Sequence, residues 1–204
     1  MLTLFTAPFK AWKRRRVEKL TAKAAHLEEG QEYDLLFLYE QGFVRARGTG
    51  QSITTITGEI ENLIAKTLRV VIKPGTYFVS AGNTQNMVTR REYTVTLYPE
   101  SKKEVSIDAT CINADRPIPG KSDQFYGVKR VSENLARFLE ASRGRDPMVV
   151  QAGVWTLTDG YSGEDVKNHL YVQDREGNRH QAVSDWHINE AKRILHELAI
   201  PNRL

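Results

Sequence analysis

The sequence predicts an α+β protein. An antiparallel β-sandwich over residues 31–114 is followed by a mainly helical portion over residues 115–204 and preceded by a basic amphipathic helix over residues 1–30. Up to about residue 114, short segments of alternating apolar and polar residues are separated by Gly and Pro, a pattern typical of antiparallel strands. Beyond a Pro- and Gly-containing connector at residues 115–125, the apolar residues recur with the period of an α-helix. We expect residues 31–204 to form one compact unit.

Alternation is clearest in four segments of the predicted sandwich. These segments are TLRVVIKPG (67–75), TYFVSAGN (76–83), REYTVTLYP (91–99) and VSIDATCIN (105–113). Two apolar runs, Leu35–Tyr39 and Phe43–Arg47, are also expected to be strands. Gly48-Thr49-Gly50 is expected to form the turn that follows them.

The helical portion is predicted from apolar stripes and from residues that start and stop helices. One stripe begins at Val131, and a second helix is expected between Asp146-Pro147 and Gly160. Ser162 and Asp165 have the spacing of a capping box. A hairpin around Gly177-Asn178 and a last helix from Ser184 or Asp185 to just before Pro201 complete the prediction.

The positive charge is confined to the N-terminal segment. Residues 1–30 contain seven of the 29 Lys and Arg residues and three of the 25 Asp and Glu residues, which leaves 22 of each in the remainder. The body of the protein is therefore neutral, and the run Lys13–Arg16 has no interleaved aromatic residues, so nucleic-acid binding is not predicted. Cys111 is the one cysteine, which excludes an intramolecular disulfide.

The N-terminal segment is expected to form a helix with a basic face. Its apolar residues, Phe9, Trp12, Leu20, Ala24 and Leu27, fall near one side, and its basic surface comprises Lys10, Lys13, Arg14, Arg15 and Arg16. Two alternatives stay open: the helix docks on its own domain, or it binds an anionic membrane surface or a protein partner. The segment lacks the pattern of a secretory signal. We expect a cytoplasmic or peripheral-membrane protein, or a secreted one if a leader was removed.

No catalytic residues, metal ligands or cofactor are predicted. The five histidines lack metal-ligand spacing, and Gly48 and Gly50 lack the rest of a dinucleotide-binding motif. Ser162 is not in a nucleophile-elbow motif, and no nucleophile–base pair can be named. The sequence therefore favours a non-enzymatic binding, structural or adaptor protein over an enzyme.

The stretch VVQAGVWTLTDG, residues 149–160, carries the one pattern that suggests chemistry. Gln151 and Trp155 are four residues apart, on the same side of the predicted helix. A glutamine beside a buried tryptophan is partly desolvated, so its carboxamide needs a partner. Two alternatives stay open: the carboxamide hydrogen-bonds backbone at the edge of the sheet, or it reacts with Cys111.

This stretch resembles the glutamine motif of bacterial thioester domains. The matching residues are Val150, Gln151, Val154 and Trp155 with Thr158-Asp159, and the candidate sulfur is that of Cys111 in DATCIN. The resemblance implies a β-rich binding module in which Cys111 and Gln151 form an internal thioester, with Trp155 excluding water. Such a bond would capture an amine or hydroxyl of a target covalently. The segment 61–88 is also similar to a β-sandwich module of bacterial proteins.

Overall fold

The computed structural model describes residues 6–173 and 176–204, and for residues 6–9, 172 and 173 it describes the backbone alone. In this part of the chain there are six helices and eleven strands. In chain order they are α1 (Thr6–Lys23), β1 (Glu32–Asp34), α2 (Leu35–Glu40), β2 (Val44–Ser52), β3 (Thr55–Asn62), β4 (Leu68–Ile72), β5 (Thr76–Ser80), β6 (Asn86–Thr89), β7 (Tyr93–Leu97), β8 (Lys102–Ile112), β9 (Gln124–Arg130), α3 (Glu133–Ala141), α4 (Pro147–Asp159), α5 (Gly163–His169), β10 (Tyr171–Gln173), β11 (Arg179–Gln181) and α6 (Asp185–Glu197).

Six antiparallel strands close into a barrel in the order β2-β3-β8-β6-β5-β9. The predicted β-sandwich is therefore wrong. Strand β9 closes the barrel, because it pairs with β2 on one side and with β5 on the other. Strands of a sandwich and of a barrel show the same inside–outside alternation, so alternation alone cannot distinguish them. The closing strand begins at the end of the connector and lies in the portion predicted to be mainly helical.

Alternate residues of the barrel strands fill its interior. These buried side chains include Ala46, Ile56, Ile60, Phe78, Met87, Ile107, Ala109, Cys111 and Phe125. Strand β2 runs through Gly48-Thr49-Gly50, so the turn predicted there is wrong. A Cβ at Gly48 would lie 3.0 Å from the carbonyl oxygen of Thr57, and one at Gly50 would overlap the carbonyl group of Gly120. These glycines allow close backbone approach rather than a change of direction.

A second, mixed sheet has the order β1-β4-β7, with β1 parallel and β7 antiparallel to β4. Between β1 and β2 the run predicted as the strand Leu35–Tyr39 is instead helix α2, so that prediction is also wrong. Asp34 begins the helix, because its Oδ1 accepts a hydrogen bond from the Leu36 backbone N–H at 2.8 Å. Leu35 and Leu38, three residues apart, are both buried on one side of it.

The predicted helices after the barrel are confirmed where their capping residues define them. Asp146 and Pro147 start α4, and Gly160, with φ 71°, ends it. Ser162 and Asp165 form a capping box at the start of α5. Strands β10 and β11 pair as the predicted hairpin. Helices α3, α4 and α6 enclose a second apolar core against the outer face of β6 and β8, which contributes Val88 and Ile112, and Ala114 just after β8 also joins this core.

Candidate functional site

Gln151 of α4 is fully buried and pairs with the backbone of Cys111. Its Nε2 donates to the Cys111 carbonyl oxygen at 2.8 Å, and its Oε1 accepts from the Cys111 backbone N–H at 3.0 Å. The same Oε1 accepts from the Thr110 hydroxyl at 2.6 Å. The carboxamide thus makes all three of these hydrogen bonds with β8. Of the two alternatives for Gln151, the structure contains the one in which its side chain hydrogen-bonds to the backbone.

The position of Gln151 follows from the different lengths of β3 and β8. The ladder between them ends where Thr55 lies opposite Asp108, and the Ala109 backbone N–H still donates to the Thr54 carbonyl oxygen at 2.9 Å. The backbone N–H of Cys111, two residues further on, faces the same edge, where β3 has already ended. The carboxamide of Gln151 supplies the donor and acceptor that another residue of the neighbouring strand would have provided.

The thiol of Cys111 lies inside the barrel. Its Sγ is 3.4 Å from the Sδ of Met87 and 3.8 Å from the carbonyl oxygen of Ile53. Burial raises the pKa of the Cys111 thiol to about 12. Because the thiolate is the nucleophilic form, the thiol is weakly reactive in this position at neutral pH.

The structure brings Gln151 and Cys111 together through the cysteine backbone and directs the sulfur elsewhere. Side chains alternate across a strand, so Thr110 faces α4 whereas Cys111 faces the barrel interior. A thioester would require the sulfur to leave the interior and the carboxamide to release its three hydrogen bonds to β8. The thioester, and the family resemblance that implies it, stay predictions.

Trp155, the predicted wall of the site, is 1% exposed and belongs to the core formed by the helices. Its ring contacts that of Tyr161 edge-on, with the centroids 6.0 Å apart. In the described part of the chain its Nε1 is buried without a hydrogen-bond acceptor. Trp155 is therefore a core residue of the helical portion, and the sulfur of Cys111 lies inside the barrel instead of facing it. Its role as the wall of a thioester site stays a prediction.

Other residues of the same stretch also fasten α4 to its surroundings. The Oδ1 of Asp159 accepts from the Ala114 backbone N–H at 3.1 Å, just after β8 ends. The hydroxyl of Thr156 accepts from the Arg203 backbone N–H at 3.2 Å. Gly153 lies so close to α3 that a Cβ there would overlap the ring of Phe138. The stretch that resembles a reactive motif is thus a set of contacts that holds α4 against the barrel, α3 and the C-terminal segment.

The predicted basic surface lies on α1. Every residue from Lys10 to Arg16 is exposed, and Trp12 is 58% exposed. Of the apolar residues predicted on one face, Leu20 is partly buried and Ala24 and Leu27 are buried against the barrel core. The side chain of Phe9 lies outside the described residues. The helix is therefore anchored at its C-terminal end, and its preceding turns expose their side chains.

Sequence reasoning missed a cluster of arginines around a cavity between the β6–β7 connection and the α3–α4 loop. The cavity has a volume of about 560 Å³, and its lining includes Arg90, Arg143 and Arg145. The sequence shows only two separate short patterns, Arg90-Arg91 and the Arg-Gly-Arg of the loop, which are about fifty residues apart. The approach of these two segments depends on the packing of α3 and α4 against the barrel.

Comparison with family models, curated proteins and solved structures finds no significant match to this chain. None of the helices among the described residues has the length and apolar character needed to cross a membrane. In the same residues no group of three or more His, Cys, Asp and Glu side chains is arranged to hold a metal ion. The geometry of the chain itself is therefore the basis for a functional assignment.

Proposed function

We propose that the protein is a non-catalytic binding module that attaches to anionic lipid surfaces through α1. The observation that carries the proposal is the exposed basic run of this helix. The excess positive charge of the chain lies in residues 1–30, and the side chains from Lys10 to Arg16 are all exposed. Anionic lipids attract such a segment, because each Lys or Arg near the surface contributes about 1 kcal/mol.

The C-terminal end of α1 is held firmly, so that the helix is presented in a fixed position. The Nζ of Lys66 donates to the carbonyl oxygens of Ala24, Ala25 and Leu27 at 3.1, 3.1 and 2.8 Å. The hydroxyl of Thr21 accepts from the Ala65 backbone N–H at 2.8 Å. A cation at the C-terminal carbonyls also complements the helix dipole.

An exposed tryptophan between Lys10 and Lys13 favours a lipid surface over an acidic protein. Trp12 is 58% exposed, and the guanidinium of Arg16 lies 5.7 Å from the centroid of its ring. Tryptophan prefers the interface between headgroups and acyl chains, and Lys and Arg beside it contact the lipid phosphates. Two described ion pairs involve the run, Lys13 with Glu100 and Arg14 with Glu18. Both pairs are largely exposed, so salt and lipid compete with them readily.

Vesicle co-sedimentation tests the proposal. The wild-type protein is expected to bind vesicles containing phosphatidylserine, to bind pure phosphatidylcholine weakly, and to dissociate as salt increases. The variant with Arg14→Gln, Arg15→Gln and Arg16→Gln loses three charges, so its affinity is expected to fall about 100-fold.

A matched control removes three exposed lysines elsewhere: Lys103→Gln, Lys121→Gln and Lys192→Gln. This variant has the same net charge as the α1 variant, and we expect it to bind like the wild type. Equal binding of the wild type to both kinds of vesicle would contradict the proposal, as would equal losses in the two variants. Binding to an acidic protein but to no vesicle would assign α1 to a protein partner instead.

A further inference from the structure

Arginines dominate the lining of the cavity between the β6–β7 connection and the α3–α4 loop. Its charged residues are Arg90, Arg91, Arg143 and Arg145 together with Glu92 and Asp108, which leaves a surplus of two positive charges. A volume of about 560 Å³ is within the range of small-molecule sites. Leu139, Pro147 and Val150 complete the wall with apolar surface.

Arg90 is the most unusual of these residues. Its Nε is buried without a hydrogen-bond acceptor, and none of the ion pairs among the described residues involves its guanidinium. Burial lowers the pKa of Arg90 below its ordinary value, which reflects the cost of holding its charge away from water. Buried polar groups without partners are rare in folded proteins, so a buried N–H donor beside a cavity is a position where an acceptor group of a ligand would be stabilised.

The other arginines keep donors free for such a ligand. The Nη2 of Arg91 lies 2.6 Å from the Oδ2 of Asp108, and its Nε donates to the Tyr93 hydroxyl at 3.1 Å, so three of the five N–H groups of the guanidinium remain. The Nη1 of Arg145 lies 3.3 Å from the Oε1 of Glu190, but that carboxylate also accepts two hydrogen bonds from Arg193, at 2.8 and 2.9 Å. Arg145 is therefore only partly neutralised.

We propose that this cavity binds a small molecule that carries a phosphate monoester, with Arg90 as the central contact. The planar donors of arginine match the oxygens of phosphate in pairs. A phosphate monoester carries between about 1.5 and 2 negative charges at neutral pH, which balances the surplus of the lining, whereas a carboxylate supplies one. Asp146 also acts on Arg90, but its Oδ1 is held at the start of α4, where it accepts from the Met148 backbone N–H at 2.7 Å, and it forms no ion pair with Arg90 among the described residues. The apolar wall favours an organic phosphate over the inorganic ion.

Calorimetric titration with phenyl phosphate, inorganic phosphate and benzoate tests the ligand class. Phenyl phosphate is expected to bind most tightly, inorganic phosphate more weakly because it leaves the apolar wall uncovered, and benzoate most weakly because it has a single charge. Binding of benzoate as tight as that of phenyl phosphate would overturn the assignment to phosphate. If neither phenyl phosphate nor vesicles of phosphatidic acid bind, the proposed site is overturned.

Arg90→Met tests the central contact, and Arg116→Met, at an exposed arginine, is the matched control. Loss of a charged donor is expected to weaken phenyl phosphate binding about 10- to 100-fold in Arg90→Met and to leave it unchanged in Arg116→Met. Without ligand, Arg90→Met is expected to raise Tm, because it replaces a half-buried guanidinium, whose Nε has no acceptor in the described part of the chain, by an apolar side chain. Unchanged affinity in Arg90→Met, or a lower Tm of that variant without ligand, would contradict the role given to Arg90.

The phosphate could belong to a soluble molecule or to a lipid headgroup, and a vesicle experiment separates the two sources. The α1 variant with three Arg→Gln changes removes the lipid attachment proposed above. If this variant binds vesicles of phosphatidic acid in phosphatidylcholine and Arg90→Met abolishes that binding, the ligand is a lipid headgroup. If it binds phenyl phosphate but no vesicles, the ligand is soluble. A variant that binds neither overturns the cavity proposal and leaves the proposal for α1 untouched.

Discussion

Replacing Gln151 with methionine tests the role of its carboxamide as a partner for the β8 backbone. Methionine has a similar length and shape but offers no N–H donor and only a weak acceptor, so the change removes hydrogen bonds with little change in packing. Gln151 is 0% exposed, and no water can readily replace it. The N–H and the carbonyl of Cys111 and the hydroxyl of Thr110 would lose their partner together.

The magnitude follows from the cost of buried groups without partners. Each such group costs about 1–3 kcal/mol, so the two backbone groups of Cys111 alone lead us to expect a loss of about 4 kcal/mol in the free energy of unfolding. The hydroxyl of Thr110 can rotate and adds less. Urea denaturation, followed by tryptophan fluorescence and circular dichroism, measures the difference as a shift of the midpoint at an unchanged slope.

Two controls make the result specific. Gln181→Met, the same substitution at an exposed position, is expected to change stability by less than about 0.5 kcal/mol. In a Cys111→Ala background Gln151→Met is expected to cost as much as in the wild type, because alanine retains the backbone N–H and carbonyl. A wild-type midpoint for Gln151→Met would refute the argument. The argument would also be refuted if Gln151→Met destabilised the wild type but not the Cys111→Ala variant, since a thioester predicts that result.

The remaining predictions concern Gly153 and the pH dependence of stability. Gly153→Ala is expected to destabilise the fold by about 2 kcal/mol in urea denaturation, because the new methyl group would overlap the ring of Phe138, and Phe138→Leu should restore part of the loss. The pKa of the Cys111 thiol rises on folding from 9.0 to about 12. The buried, protonated thiol therefore makes its full contribution to the free energy of unfolding below pH 9, and this contribution is lost as pH rises towards 12. Between about pH 8 and pH 10.5 the wild type is therefore expected to lose about 2 kcal/mol more than Cys111→Ala, and equal losses would contradict the burial of this thiol.

Helix boundaries after the barrel were predictable because local residues determine them. Asp146-Pro147, Gly160 and the Ser162–Asp165 pair each satisfy backbone groups within a few residues, and each lies where the sequence predicts it. The same kind of signal was available for α2, where Asp34 caps the helix. The run Leu35–Tyr39 was predicted to be a strand because a short apolar run is compatible with either element.

Closure of the barrel could not be predicted, because it depends on pairing between distant segments. Gly48 lies opposite Phe125 across the β2–β9 ladder, more than seventy residues away in the chain. The alternation that predicts antiparallel strands contains no information on whether the last strand returns to the first. The turn predicted at Gly48 and Gly50 was wrong for the same reason. Neighbouring backbone approaches these glycines closely only in the folded barrel, so the local sequence does not show why glycine is required there.

The sequence correctly singled out Gln151 as a side chain that needs a partner, and it named both candidate partners. Which of them Gln151 contacts depends on the side of β8 that α4 covers. Along β8 every second residue faces the barrel interior, so Cys111 faces inward with Ile107 and Ala109. Helix α4 packs on the opposite face, where the side chain of Thr110 lies. That choice of face arises from tertiary packing, which the two short motifs do not encode. The arginine cavity was missed because its residues come from separate segments.

The intact mass of the purified protein tests most directly whether Gln151 holds the β8 backbone or has reacted with Cys111. The hydrogen-bonded arrangement predicts the full mass of the chain. It also predicts that Cys111 resists alkylation in the folded protein and is alkylated completely after unfolding in urea. The account would be contradicted if the wild type were lighter than its calculated mass by one ammonia while Cys111→Ala had its full calculated mass.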